Sequence, residues 1–378
     1  MPSIAFSAGD PSGDVHAARL IEALKRRNAH LTFSGLGGPA MQRAGCSLLD
    51  DLTTTEAIGP FDAARHLGRL RRARRLFADH LARQRPDLVI LVDFGDFNLP
   101  VIAPLAKRLR IPVLYFISPQ LWAWGRFRVR YVKRYVDRMI VFFPFEEAFY
   151  RREGIPVTWV GHPLIEPSQP TMGREATITQ LGLNEWRMTV GLLPGSRTDE
   201  VRRHLPLMLD AARHIAWDMP GVQFLVLKAP GLPRAVLDAC LSRADVQVSV
   251  AEGRTREVLP VLDAAVVASG TATLETALMG VPMAVIYRTS WPTYAAARLV
   301  LRIPHIALVN VIAGEQIVPE FVQHRARPER IARAIVELLR SDERRAQMKD
   351  ALQRQVKDRL GEPGAVERAA DAVLQSLK

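Results

Sequence analysis

Short apolar, β-branched runs alternate with amphipathic helical stretches along nearly the whole chain, and this rhythm limits its architecture more than any other feature. SIAFSAG, LVILV, VLYFI and MIVFF in the first half read as strands, as do TVGLL, FLVLK, VQVSV, AAVVA and MAVIY in the second. Continuous apolar runs of this length suit parallel strands covered on both faces. Between them lie stretches such as VHAARLIEALKRR and EVRRHLPLMLDAARHIAW, with apolar residues at helical spacing. The alternation has no sequence repeat of about 20–50 residues, so a doubly wound sheet is favoured over a solenoid. A proline-rich, polar interruption at residues 163–180 reads as an interdomain linker and argues against a single α/β barrel. The chain is therefore read as α/β, with one domain over residues 1–165 and a second over 166–345. Residues 346–378 form C-terminal helices, for which a return to the first domain is left open.

At 378 residues the chain can bury two cores, and its 48% apolar and 24% charged residues suit an ordinary globular protein. No run reaches the roughly 18 apolar residues of a spanning helix, and the first residues pass into a strand without a basic-then-apolar leader. An intracellular protein is expected. Cys46 and Cys240 fall in different domains and offer neither a disulfide framework nor metal-ligand spacing. The 51 basic and 39 acidic residues give a formal charge of +12, which suits nucleic acid, anionic lipid or phosphorylated substrates.

Two turns carry the chemistry of the second half. In GLLPGSRTDE, residues 191–200, Pro194 and Gly195 make a tight turn, and Ser196 or Thr198 can cap the following helix. The first amides of that helix form an anion site, and Arg197 can fork onto two phosphate oxygens. SGTATLE, residues 269–275, repeats the design: a small-residue turn, Thr271 opening a helix, and Glu275 in its first turns. A carboxylate there can complement the helix dipole or accept from ribose hydroxyls. Each turn alone is equally an ordinary strand-to-helix connection. Together they suggest a nucleoside diphosphate at the carboxyl ends of parallel strands.

In the first half, DLVILVDFGDFNLP places Asp93 at the end of a strand and Asp96 in the following turn, with Asn98 two residues on. Two carboxylates so placed can divide labour as base and orienter, although loop aspartates also cap helices. Ser118, Trp122 and Trp124 follow another strand and can line a sugar or acyl site. The first turn, residues 7–14, contains Ser12 and lacks the dinucleotide pattern of glycines; His16 reads as a helix residue rather than a catalytic one. Residues 58–86 set Phe61, Leu67, Leu70, Phe77 and Leu81 beside Arg65, Arg69, Arg71, Arg72, Arg74 and Arg75. The pattern fits either a helix on anionic lipid or a core helix with a solvated basic face. Asn310 precedes a small-residue turn, and Glu320 and Gln323 are candidates to face the cleft.

SAGDPSGD, DFGDFN, SPQLWAW, PFEEAFY, VGHPL, LLPGSRTDE, ASGTATLE and VNVIAGEQIVPEFVQ stand in the order and spacing that resembles the lipid-A-disaccharide synthases, inverting glycosyltransferases of GT-B type. The resemblance implies two Rossmann-type domains facing a central cleft. It also implies transfer of 2,3-diacylglucosamine from its UDP derivative to 2,3-diacylglucosamine 1-phosphate. It assigns Asp96 as general base with Asp93 beside it, and Arg197, with Ser196, Gly195 and Thr271, to the diphosphate. Glu275 is expected near the nucleoside, and Asn310 matches the family's asparagine and is grouped with the UDP-binding residues; Ser12, Asn98, Ser118, Trp122 and Gln323 are candidates for acceptor binding or the cleft lining. The chain departs from the family pattern at Asp10 for glutamate, Gly95 for proline, Val309 for proline and Glu315 for arginine. The last reverses a charge, which weighs against a diphosphate role there. No cofactor and no metal are expected, because a guanidinium and helix N-termini can stabilise the leaving diphosphate. The implied partners are the two acylated sugars and an anionic membrane surface, with the protein peripheral on the cytoplasmic face of the bacterial inner membrane. A UDP-sugar epimerase of the same architecture is the alternative; a basic nucleic-acid-binding module is less supported, lacking any recognition motif.

Overall fold

The computed structural model describes residues 1–53, 60–123, 125–166, 172–291, 294 and 304–377, without the side chains of 60–66. Trp124, the start of the arginine-rich segment with Phe61 and Arg65, and linker residues 167–171 lie outside that description. The chain divides into two units, Met1–Glu166 with Leu360–Lys378, and Pro167–Arg359.

Among the described residues, the first unit holds seven strands: β1 (Ser3–Ala8), β2 (Thr32–Gly37), β3 (Ser47–Asp51), β4 (Leu88–Val92), β5 (Val113–Phe116), β6 (Arg138–Val141) and β7 (Val157–Trp159). They form one parallel sheet in the order β3-β2-β1-β4-β5-β6-β7. The order reverses between β1 and β4, where Phe6 pairs with Ile90 and Ala8 with Val92. Connections leave such a pair in opposite directions, so a crevice opens beyond the carboxyl ends of β1 and β4. One face of the sheet buries Ile4, Phe6 and Ile90 against Leu20, Ile21 and Leu24 of the helix Pro11–Arg27. The other buries Ala5, Val89 and Leu91 with Phe77 and Leu81 of the helix Pro60–Gln84.

The second unit holds β8 (Thr189–Leu193), β9 (Gln223–Lys228), β10 (Val248–Glu252), β11 (Ala264–Ala268), β12 (Met283–Tyr287) and β13 (Glu320–Val322), parallel and ordered β10-β9-β8-β11-β12-β13. Its reversal falls between β8 and β11, the strands that lead into the turns before the helices Thr198–Asp218 and Thr271–Leu278. Val190, Leu192 and Val266 pack against Leu205, Met208 and Ile335 of the covering helices.

The structure moves two boundaries read from sequence. Residues 174–180, assigned to the linker, form the helix Arg174–Gln180, with Thr177 buried and Gln180 Oε1 accepting from Arg254 Nη1 at 2.5 Å. The break set at residue 346 falls inside the helix Asp342–Gln355, which stays with the second unit through buried Leu352 and Met348 packed on its core. The crossing comes at Leu360. Beyond it, the helix Ala365–Gln375 lies on the helix Pro11–Arg27, burying Ala369 and Val373 and pairing Arg26 with Glu367 at 2.5 Å and Arg27 with Asp371 at 2.7 Å.

Candidate active site

In the first unit the turn after β4 is built around strained backbone. Asp93 and Phe94 both adopt left-handed conformations, φ 43° and 48°, which cost non-glycine residues free energy and persist only where neighbours enforce them. Here the enforcement is visible. The Tyr115 hydroxyl and Asn98 Nδ2 both donate to the Asp93 carbonyl, the latter at 2.9 Å. Asn98, fully buried, also donates to Ser7 O at 3.1 Å and accepts from Ser7 Oγ at 2.7 Å, tying the turn to β1. The Phe94 ring covers Gly9, where a Cβ would stand 2.0 Å from a ring carbon, so β1 and β4 can end this close only with glycine there.

That scaffold presents two carboxylates in different environments. Asp93 is half-buried; burial, then the like charge of Asp10, pushes its pKa up to about 6, against the Phe94 amide, which favours the anion. Asp96 is open to solvent, its side chain 77% exposed, and pairs with Arg128, whose side chain is 7% exposed. A buried guanidinium behind an exposed carboxylate holds the latter's orientation while leaving an oxygen accessible. Asp96 is the group of the pair that a substrate hydroxyl can reach.

In the second unit the turn after β8 runs through Pro194 and Gly195, φ 112°, into the helix Thr198–Asp218. Arg197, its side chain 83% exposed, stands at the helix start with Glu200 3.2 Å away. Buried His204 braces the turn from behind: its Nδ1–H donates to Pro194 O at 3.1 Å, and Nε2 accepts from the Arg288 amide at 3.0 Å. Burial lowers the pKa of His204, keeping it neutral in that tautomer. The turn after β11 opens the helix Thr271–Leu278, whose Glu275 is half-buried with its pKa raised by burial against the opposing charge of Arg256.

Several residues expected at a ligand surface are spent on internal structure. Asn310 is fully buried: Nδ2 donates to Val318 O at 2.9 Å and Glu320 Oε1 at 2.7 Å, and Oδ1 accepts from the amides of Ile317 and Val318 at 2.9 and 3.0 Å. Its amide shapes the loop before β13 and has no hydrogen-bonding position to spare for a nucleoside. Gln323 is buried, exchanging bonds with the backbone of Thr289 at 2.8 and 3.0 Å. Ser118 is buried against the Tyr150 hydroxyl at 2.7 Å, and Trp122 meets Phe145 edge-on at 4.8 Å. Ser12 is exposed, Asp10 caps its helix through Gly13 N at 2.6 Å, and Glu315 is exposed. His16 sits against Phe142, and burial lowers its pKa to about 4.

Sequence reasoning missed Asp14, whose carboxylate accepts from the amides of Gly38, Ala40 and Met41 at 2.9, 2.9 and 3.0 Å. Its signals were its place at the end of SAGDPSGD and the GLGG, residues 35–38, that closes β2. The lipid reading of the arginine-rich segment needs correction in one respect. Phe77 and Leu81 are buried in the core and Leu70 packs against it, so this part of the apolar stripe faces the sheet, while Leu67, Arg71, Arg72, Arg74 and Arg75 are exposed. A cavity of about 460 Å³ lined by Arg202, Arg213, Cys240 and Arg243 contains none of the turn residues. Among the described residues no cluster of three His, Cys, Asp or Glu is placed to hold a metal ion, and no helix is long and apolar enough to cross a membrane.

Two parallel, doubly wound units, each with a strand-order reversal, define a GT-B fold. The chain superposes on Staphylococcus aureus MnaA in its UDP co-structure with a TM-score of 0.68 at 12% identity, covering 100% of this chain and 97% of that one. For Acinetobacter baumannii MurG the TM-score is 0.59 at 14% identity, covering 99% and 100%. Likeness at that identity establishes the fold. Residues 4–375 match the lipid-A-disaccharide synthetase family. Lipid-A-disaccharide synthases of Geobacter sulfurreducens and Syntrophus aciditrophicus are 41% and 43% identical, over 99% and 98% of this chain and 97% of each relative. The chain belongs to the lipid-A-disaccharide synthase family and is a glycosyltransferase.

Proposed function

We propose that the enzyme joins 2,3-diacylglucosamine from its UDP derivative to 2,3-diacylglucosamine 1-phosphate, releasing UDP and the tetraacyl disaccharide 1-phosphate. Asp96 takes the proton of the acceptor hydroxyl as its oxygen attacks the anomeric carbon from the face opposite the diphosphate. The carbon–oxygen bond to the β-phosphate breaks with inversion, and Arg197 with the amides opening the helices Thr198–Asp218 and Thr271–Leu278 receives the charge that develops on the leaving oxygen. Glu275 accepts from the ribose. Asn310 and Gln323 act one step removed, by holding the loops around β12 and β13. The observation that carries this reading is the exposed Asp96 carboxylate set on buried Arg128 at the carboxyl end of β4.

Both substrates are acylated and phosphorylated, so they reside at a membrane surface, and the exposed arginines of the helix Pro60–Gln84 supply the attraction that brings the enzyme there. We place it peripherally on the cytoplasmic face of the inner membrane. Incubation with both acylated sugars tests the reaction: stoichiometric UDP and disaccharide are expected, whereas an isomerised sugar nucleotide without disaccharide would make the protein an epimerase.

A further inference from the structure

Three donors converge on one carboxylate at the turn after β8. Glu200 Oε2 accepts from the amides of Ser196 at 3.2 Å and Arg197 at 3.3 Å, and Oε1 accepts from Arg197 Nη1 at 3.2 Å. The turn is fitted to that group: a Cβ on Gly195 would stand 2.6 Å from Oε2. A glutamate at this helix position ordinarily returns to the capping residue's amide alone. Here it also takes an amide outside the helix and the arginine. Two amides and a guanidinium are the donors a phosphate group would need, and each amide has one proton to give.

We propose that Glu200 is a built-in counter-anion of the diphosphate seat. It keeps the turn and Arg197 ordered while the seat is empty, and it leaves the two amides when a nucleoside diphosphate binds, Arg197 passing from carboxylate to phosphate. The inference rests on the diphosphate reading of this turn given above. Its consequence is that nucleotide affinity is lowered by the fraction of time the carboxylate is seated. An occupancy near nine-tenths weakens binding about tenfold.

Equilibrium titrations of the full-length protein with UDP and with uridine test this. E200Q, which keeps the shape and removes the charge, is expected to bind UDP about tenfold more tightly and uridine unchanged. Unaltered uridine binding reports an intact fold, and the gain confined to UDP is one that a structural role would not produce. E200D, whose shorter side chain reaches the amides less well, is expected to gain in the same direction and serves if E200Q does not fold. UDP affinity equal to or weaker than wild type in the folded variants, with wild type binding UDP more tightly than uridine, overturns the role of Glu200 and leaves the diphosphate reading standing. Wild-type protein that binds UDP no better than uridine removes the diphosphate reading and the inference with it.

Discussion

Asp93 and Asp96 lie three residues apart and differ mainly in what surrounds them. Asp96, exposed and paired with Arg128, can meet an incoming hydroxyl. Asp96→Asn is therefore expected to lower kcat by about 10²–10⁴ while leaving the UDP dissociation constant unchanged, as followed by UDP release and by titration. Asp93 is held at about 6 against an ordinary 3.8, so its ionised form destabilises the folded state. Above pH 6 the carboxylate is charged in both folded and unfolded chains and the folded state bears the full cost. Well below 3.8 both are protonated and the cost disappears. Asp93→Asn should accordingly stabilise the protein by about 3 kcal/mol at pH 8 and by almost nothing at about pH 2–3 in denaturant titrations. The places of Asp96, Arg197 and Glu275, in the turns and first helical residues after β4, β8 and β11, were legible from the apolar runs before them. Asn310 and Gln323 were not read correctly, because an amide at a strand end looks the same in sequence whether it faces a ligand or ties down the next loop. Glu200 was passed over although its spacing from Arg197 is that of a glutamate returning to a helix start.

At the level of the element, strand order places the turns carrying Asp96, Arg197 and Glu275 at reversals, β1 with β4 or β8 with β11. Most strands could be read from their apolar runs. β3 could not, since SLLDD is a short, half-polar edge strand, and the helix Arg174–Gln180 was hidden by the prolines before it. The helix Pro60–Gln84 shows a limit of amphipathic reading, because an apolar stripe has the same spacing against a sheet as against lipid. Its burial predicts that Phe77→Ala costs about 3–5 kcal/mol in chemical denaturation. Charge reversal at Arg71, Arg74 and Arg75 should change stability by no more than about 0.5 kcal/mol each.

For the whole molecule, the +12 charge and the exposed arginines predict retention on vesicles containing anionic lipid that declines as salt is raised. The triple charge-reversed variant should lose that retention while keeping its unfolding midpoint; unchanged retention would remove this helix from the membrane contact. Turnover should survive exhaustive chelation if Arg197 and backbone amides meet the charge of the leaving group as proposed; a loss restored by magnesium would reject that assignment. The proposed transfer requires both the Asp96 carboxylate and the Arg197 guanidinium. Mixing UDP-2,3-diacylglucosamine with 2,3-diacylglucosamine 1-phosphate, and quantifying UDP and disaccharide for wild type, Asp96→Asn and Arg197→Ala, tests it most directly. Equal yields of both products from wild type, collapse of both in Asp96→Asn with UDP affinity intact, and weakened UDP binding in Arg197→Ala are predicted; full turnover by Asp96→Asn would contradict it.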